Sequence, residues 1–333
     1  MSFNDDARID SSKVKRRGRG RTTGVAAGGV GIVAVIVVAL VNQFTGVNLS
    51  GLLDGQSLGT PQQVESTALE GCTTGADANA SIDCRMAGAA DSLDTYWAAE
   101  APRLGIGDYA TPEFFLFTSS VDTGCGGATS ATGPFYCPPD RALYVDTDFF
   151  DQLREQYGAS AGPLAQMYVV GHEWGHHIQQ LSGAFDRADR SATGPGSDTI
   201  RLEVQADCYA GAWVGSASTV SDDSGTTFLE PVTDAQIADA LDAAAAVGDD
   251  RIQAASGGQV DSDTWTHGSA EQRQRWFDTG RAGGATACDT FGVSADALGG
   301  ATPRRGRHRA SSVPRPADGR APGGAESVNA TRR

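Results

Sequence analysis

A chain of 333 residues, 40% of them hydrophobic, with a net charge of −15, is long enough to bury one sizeable core with appendages. Its charge is polarised. Residues 1–21 carry seven Lys/Arg against three Asp, residues 300–333 carry eight Arg against Asp318 and Glu326, and the stretch between holds all of the net negative charge. That acidic middle would repel phosphates, which argues against nucleic acid as a partner.

In chain order, residues 1–21 read as a basic cytoplasmic tail. Residues 22–41 are uncharged and rich in Val, Ile, Ala, Leu and Gly, about the length a transmembrane helix needs. Lys13, Lys15, Arg16, Arg17, Arg19 and Arg21 crowd its N-terminal side. By the positive-inside rule the N-terminus stays in the cytoplasm and the rest is exported, giving a single-pass protein of the cell membrane. A cleaved signal peptide is the rival, but the apolar run is long for one and the Val-Asn-Gln-Phe that follows is a poor cleavage site. Residues 42–65 read as a polar linker and 66–298 as the folded domain. Residues 299–333 are dense in Gly, Pro, Ala and Arg and too poor in large apolar side chains to fold.

Within the domain, Asp91–Ala99 looks helical, and Glu113–Ser119 and Ala142–Val145 look like strands. Phe149–Tyr157 could open a helix, and Ala161–Leu181 and Asp198–Val214 form longer ones. Thr233 with Gln236, and Ser269 with Gln272, are capping boxes that start two more. Few strands before many helices indicate an α+β domain. Six cysteines, Cys72, Cys84, Cys125, Cys137, Cys208 and Cys288, suit disulfides in an exported domain. Six allow roughly 15 pairings, and the sequence does not choose among them. Pairing the two couples that are 12 apart would leave Cys208 with Cys288. No C-x-x-C is present to suggest a cysteine zinc cluster.

The chemistry concentrates in His172-Glu173-Trp174-Gly175-His176. Residues four apart share a helix face, so both imidazoles can address one metal ion. Glu173 is rotated off that axis toward a metal-bound water, whose proton it can take as general base. A catalytic zinc needs a third protein ligand and one open position. Glu203 supplies the third on the next helix. Asp207, four residues on, is placed to accept a hydrogen bond from the outer nitrogen of a ligand histidine. The longer H-E-x-x-H-x-x-G-x-x-H pattern fails, because positions 179 and 182 are Gln and Ser. His177 is turned to another face and reads as a surface or outer-layer histidine. Cys208 is assigned to a disulfide. His267, just before the helix capped by Ser269, is a candidate catalytic donor to an oxyanion. Tyr168 and Tyr209 are weaker candidates that read as core. Gly175 in a helix suggests close approach of a neighbouring element.

The segments VVGHEWGHHIQ, RLEVQADCYAGAW, THGSAEQRQRWF and the closing CDTF, with FYCPPDRALYVD upstream, resemble the bacterial neutral zinc metallopeptidase family. The resemblance runs from about the apolar segment to Phe291. It implies a zincin-like domain holding Zn2+ on His172, His176 and Glu203, with Glu173 catalytic, and a peptide or protein as substrate. The ALYV strand would be the edge beside the metal helix on which substrate pairs. The alternative is a non-catalytic, zinc-containing envelope scaffold.

Overall fold

In the computed structural model, which describes residues 2–17, 66–255 and 260–299, the sheet is built on two strongly apolar strands. These are β3 (Glu113–Phe117, EFFLF) and β7 (Ala142–Asp146, ALYVD), which pair in parallel. Their near-continuous apolar runs mark strands buried on both faces. Phe114, Leu116, Leu143 and Val145 point to the main core, while Phe115, Phe117 and Tyr144 point to a smaller cluster behind the sheet. A side-chain period of two produces this division. Three more strands complete the sheet: β1 (Val14–Arg17), β2 (Ser66–Ala68) and β6 (Phe135–Cys137), in the order β2-β1-β3-β7-β6. A separate hairpin of β4 (Ser120–Thr123) and β5 (Gly126–Thr129) covers the small cluster with Val121 and Ala128.

The remainder is helical. The long helices are α1 (Ile82–Glu100), α2 (Phe149–Tyr157), α3 (Pro163–Leu181), α4 (Asp198–Ser216), α5 (Asp234–Ala246), α6 (Asp249–Ala255) and α7 (Ala270–Gly283). Both expected capping boxes form, Thr233 with Gln236 and Ser269 with Gln272. Helix α1 begins well before Asp91, and α3 starts at Pro163, whose ring suits the first helical turn. Two crossings depend on glycine. A Cβ on Gly175 of α3 would sit 2.9 Å from the Ala206 Cα of α4, and one on Gly280 of α7 would overlap the Cys208 carbonyl of α4. Three disulfides form, Cys72–Cys84, Cys125–Cys137 and Cys208–Cys288.

The N-terminal segment corrects the expected topology. Residues 2–17 are part of the domain: Phe3, Ala7, Ile9 and Val14 are buried in the main core. Strand β1 lies between β2 and β3. Lys13 reaches Asp91 at 2.7 Å and Asp94 at 2.8 Å, and Lys15 reaches Glu113 at 2.6 Å. A strand hydrogen-bonded inside the sheet lies on the same side of any membrane as the sheet itself. Arg17 and Ser66, which flank residues 18–65, are register partners in neighbouring strands. A cytoplasmic tail with the domain exported across a single span is incompatible with this arrangement. Among the described residues no helix is long and apolar enough to cross a membrane. The expected span 22–41, the linker 42–65 and the tail from residue 300 onward lie outside the described residues.

The Phe3 ring packs over Gly88 of α1, where an added Cβ would meet it at 2.6 Å. Phe3→Ala is therefore expected to destabilise the domain by about 3–5 kcal/mol, as large-to-small core changes do. Thermal unfolding would register this as a lowered midpoint, whereas a detached tail would give no shift.

Candidate metal centre

Helix α3 carries His172 and His176 one turn apart, and α4 brings Glu203 against them. His172 Nε2 lies 3.5 Å from Glu203 Oε2, and His176 Nε2 lies 3.5 Å from Glu203 Oε1. The three donor atoms fall within 4.8 Å of one another, and all three residues are buried. Bonds of about 2.0–2.1 Å in a tetrahedron put neighbouring ligand atoms about 3.3 Å apart, so these separations suit a shared ion. Glu203 Oε1 is buried and has no hydrogen-bond partner, a costly state for a carboxylate oxygen that a cation would relieve. Gly175 makes the convergence possible, since it lets α3 and α4 approach at the level of the cluster.

Each of the two imidazoles is held by a partner from behind. His172 Nδ1 donates to Asp207 Oδ1 at 2.8 Å, which leaves Nε2 toward Glu203. His176 Nδ1 donates to Gln179 Oε1 at 2.8 Å. Gln179 Nε2 donates in turn to the Leu202 carbonyl at 2.6 Å and to Gln205 Oε1 at 3.2 Å. Asp207, fully buried, is gripped by Arg273, with Nε to Oδ2 at 2.8 Å and Nη2 to Oδ1 at 2.9 Å, and accepts a short hydrogen bond from the Tyr168 hydroxyl. Such partners fix the tautomer and aim of a metal ligand. The electrostatics agree. Burial pushes His176 down to about 4, keeping it neutral. Burial would raise Glu203, but the two imidazoles outweigh it and hold its carboxyl down at about 2. Burial opposes charge on His172 too, yet Asp207 lifts it to about 10. A cation at Nε2 would take the place of that second proton.

Glu173 and His267 face the same cavity as the cluster, a space of about 100 Å³. Burial pushes the Glu173 carboxyl up to about 7. His267 is held by Asp249, whose Oδ1 accepts from Nδ1 at 3.0 Å while Oδ2 accepts the backbone N–H groups of Thr266, His267 and Gly268. Its Nε2 is buried without a hydrogen-bond partner. Burial opposes its protonation, but the Asp249 carboxylate raises its pKa overall.

These residues match a described family. Residues 2–291, nearly the whole chain, match the family of putative neutral zinc metallopeptidases. The chain belongs to this family. An uncharacterized protein of Mycobacterium tuberculosis, Rv2575, is 48% identical over 252 residues, covering 75% of this chain and 84% of that protein. The Mycobacterium bovis protein Mb2605 matches to the same extent. YpfJ of Escherichia coli K12 is 36% identical over 272 residues, 80% of this chain and 88% of YpfJ. No solved structure matches.

In this metallopeptidase-family chain the cluster brings together His172, His176 and Glu203, with Asp207 behind them. Two expectations change. His177 is not a surface residue: it is buried, its Nε2 donating to the Ala110 carbonyl at 2.6 Å and its Nδ1 lying 2.9 Å from the Tyr136 hydroxyl of β6. Tyr209 is in the core as expected, its ring edge-on to Trp97. The ALYV strand β7 is interior, between β3 and β6, so the edge on this side is β6, and Thr132–Phe135 line the cavity. Arg273 and Gln179 were missed. The available signal for Arg273 was a charged residue in the apolar stripe of α7, beside Trp276 and Phe277.

Proposed function

We propose that this protein is a zinc-dependent peptidase that hydrolyses extended or unfolded peptide in the cavity beside α3. The observation that carries the reading is one small cavity lined at once by the His172–His176–Glu203 group, the Glu173 carboxyl and the unpartnered Nε2 of His267. Two imidazoles and one carboxylate suit zinc, and three protein ligands leave room for substrate. Bound there, zinc would act as a Lewis acid on the scissile carbonyl and acidify water.

The chain's own residues do the rest. Glu173 accepts the proton of the attacking water and passes it to the departing amine, a role that suits a carboxyl whose pKa is raised by burial. His267, aimed by Asp249, donates from Nε2 to the oxygen that becomes negative as the carbonyl is attacked. Asp207, through His172, keeps the ligand nitrogen directed at the ion. The β6 edge, with its neighbour Thr132–Pro134, gives an extended peptide a backbone to pair with. A zincin-like domain would share this layout of sheet edge beside metal helix.

The purified protein is expected to contain about one zinc per chain and to cleave casein. A chelator should abolish cleavage, and one equivalent of zinc should restore it. Cleavage indifferent to chelation, or a protein that takes up no zinc, would overturn the reading.

A further inference from the structure

The cavity lining is of two chemical kinds. Its ionisable lining is the ligand cluster, Glu173, His267, Arg273 and Tyr168. The rest of the lining is mostly apolar, and its aliphatic and aromatic side chains include Phe149 and Leu153 of α2, Val169 of α3, Ala243 of α5, Val247 just after it, and Ile252 of α6. Phe149 and Leu153 are four apart, so they present one helix face to the space. Val169 lies four residues before Glu173 and shares its face of α3. The apolar recess therefore begins one helical turn from the carboxylate assigned the proton transfer. The only polar side chains in this part are Thr132 and Tyr168, whose hydroxyl is given to Asp207, so an amide or charged group entering it would lose water with little compensation. An apolar group would gain from the same transfer.

We infer that this recess receives a bulky apolar side chain, Leu, Ile, Met or Phe, of the residue flanking the scissile bond. Phe149, Leu153, Ala243 and Val247 are then specificity-determining residues. This rests on the peptidase reading and names the substrate class it acts on. The continuity of the recess with the ligand cluster selects the occupant. A peptide carbonyl at the open side of the cluster carries its neighbouring side chain past Val169, into a space whose lining is mostly apolar.

Two measurements test it. In the first, the zinc-loaded protein is given peptides that differ only in the residues flanking the cleaved bond. Leu or Phe at one of these positions should raise kcat/KM by about 10–100-fold over Gly, Asp or Lys. Ala243→Leu, which fills the recess, should lower the Phe-to-Gly ratio. Leu153→Ala, which widens it, should shift the preference toward Phe over Leu. In the second, calorimetry compares phenylalanine hydroxamate with glycine hydroxamate on the zinc-loaded protein, and the former should bind at least about tenfold more tightly. Cleavage without an apolar preference overturns the recess and leaves the peptidase reading standing. Absence of cleavage, with phenylalanine hydroxamate still favoured, overturns the peptidase reading and keeps the recess. Equal binding of the two hydroxamates overturns the recess.

Discussion

Glu173→Gln is expected to bind zinc as the parent does and to lose peptide cleavage, kcat/KM falling by roughly 10²–10⁴-fold. At about 1.4 kcal/mol per factor of ten this is about 3–5 kcal/mol of transition-state stabilisation. The substitution keeps shape and hydrogen-bonding capacity and removes only the ability to take a proton. Glu173 is buried, and the Glu203 charge is among the causes that raise its pKa. Neutralising it relieves a like-charge repulsion, so the ligand cluster has no electrostatic reason to weaken. His267→Phe is the informative comparison. It removes the oxyanion donor but leaves the base, and should cost about 10²–10³-fold. Steady-state kinetics with elemental analysis of each variant checks all of this. Undiminished cleavage by Glu173→Gln would remove the general base from the mechanism. Full cellular function of an inactive Glu173→Gln protein would favour the scaffold alternative.

The second large effect is expected at Asp207. Its carboxylate is fully buried, with Arg273 on one side and His172 Nδ1 on the other. Asp207→Ala strands the Arg273 guanidinium, itself buried, and should destabilise the fold by about 3–5 kcal/mol. It also frees His172 to rotate and leaves an unneutralised cation beside the metal site. Zinc affinity should fall about 10–100-fold. The double variant Asp207→Ala/Arg273→Met separates the two effects. Removing the stranded charge should restore much of the stability but not the aim of His172. Denaturant unfolding of the metal-free protein and chelator competition read the two quantities independently. Zinc affinity unchanged in Asp207→Ala would mean that the carboxylate serves the fold alone.

What could be read from the residues in order was what depends on near neighbours. Four-residue spacing put His172 with His176, and Glu203 with Asp207, each on one helix face. Side chains three residues apart announced the capping boxes at Thr233 and Ser269. The continuous apolar runs EFFLF and ALYV marked buried strands without saying which neighbours they would have. The charge of the first 17 residues, also a local signal, misled. The basic residues that suggested a cytoplasmic flank include Lys13 and Lys15, whose charges meet Asp91, Asp94 and Glu113 of the domain. The apolar residues among them, Phe3, Ile9 and Val14, are core.

Only the tertiary structure decided which partner each buried group would have. Arg273 meets Asp207 across 66 residues, His267 meets Asp249 across 18, and β6 rather than β7 takes the edge. It also chose one of the many cysteine pairings, because disulfide partners must have Cα atoms within about 7 Å, which spacing along the chain does not report. The physical reason is common to all of these. Helical and strand periods act between residues a few positions apart. The pairing of buried charges, strand order and helix crossings come from closing long loops around one core, and no single segment contains that information.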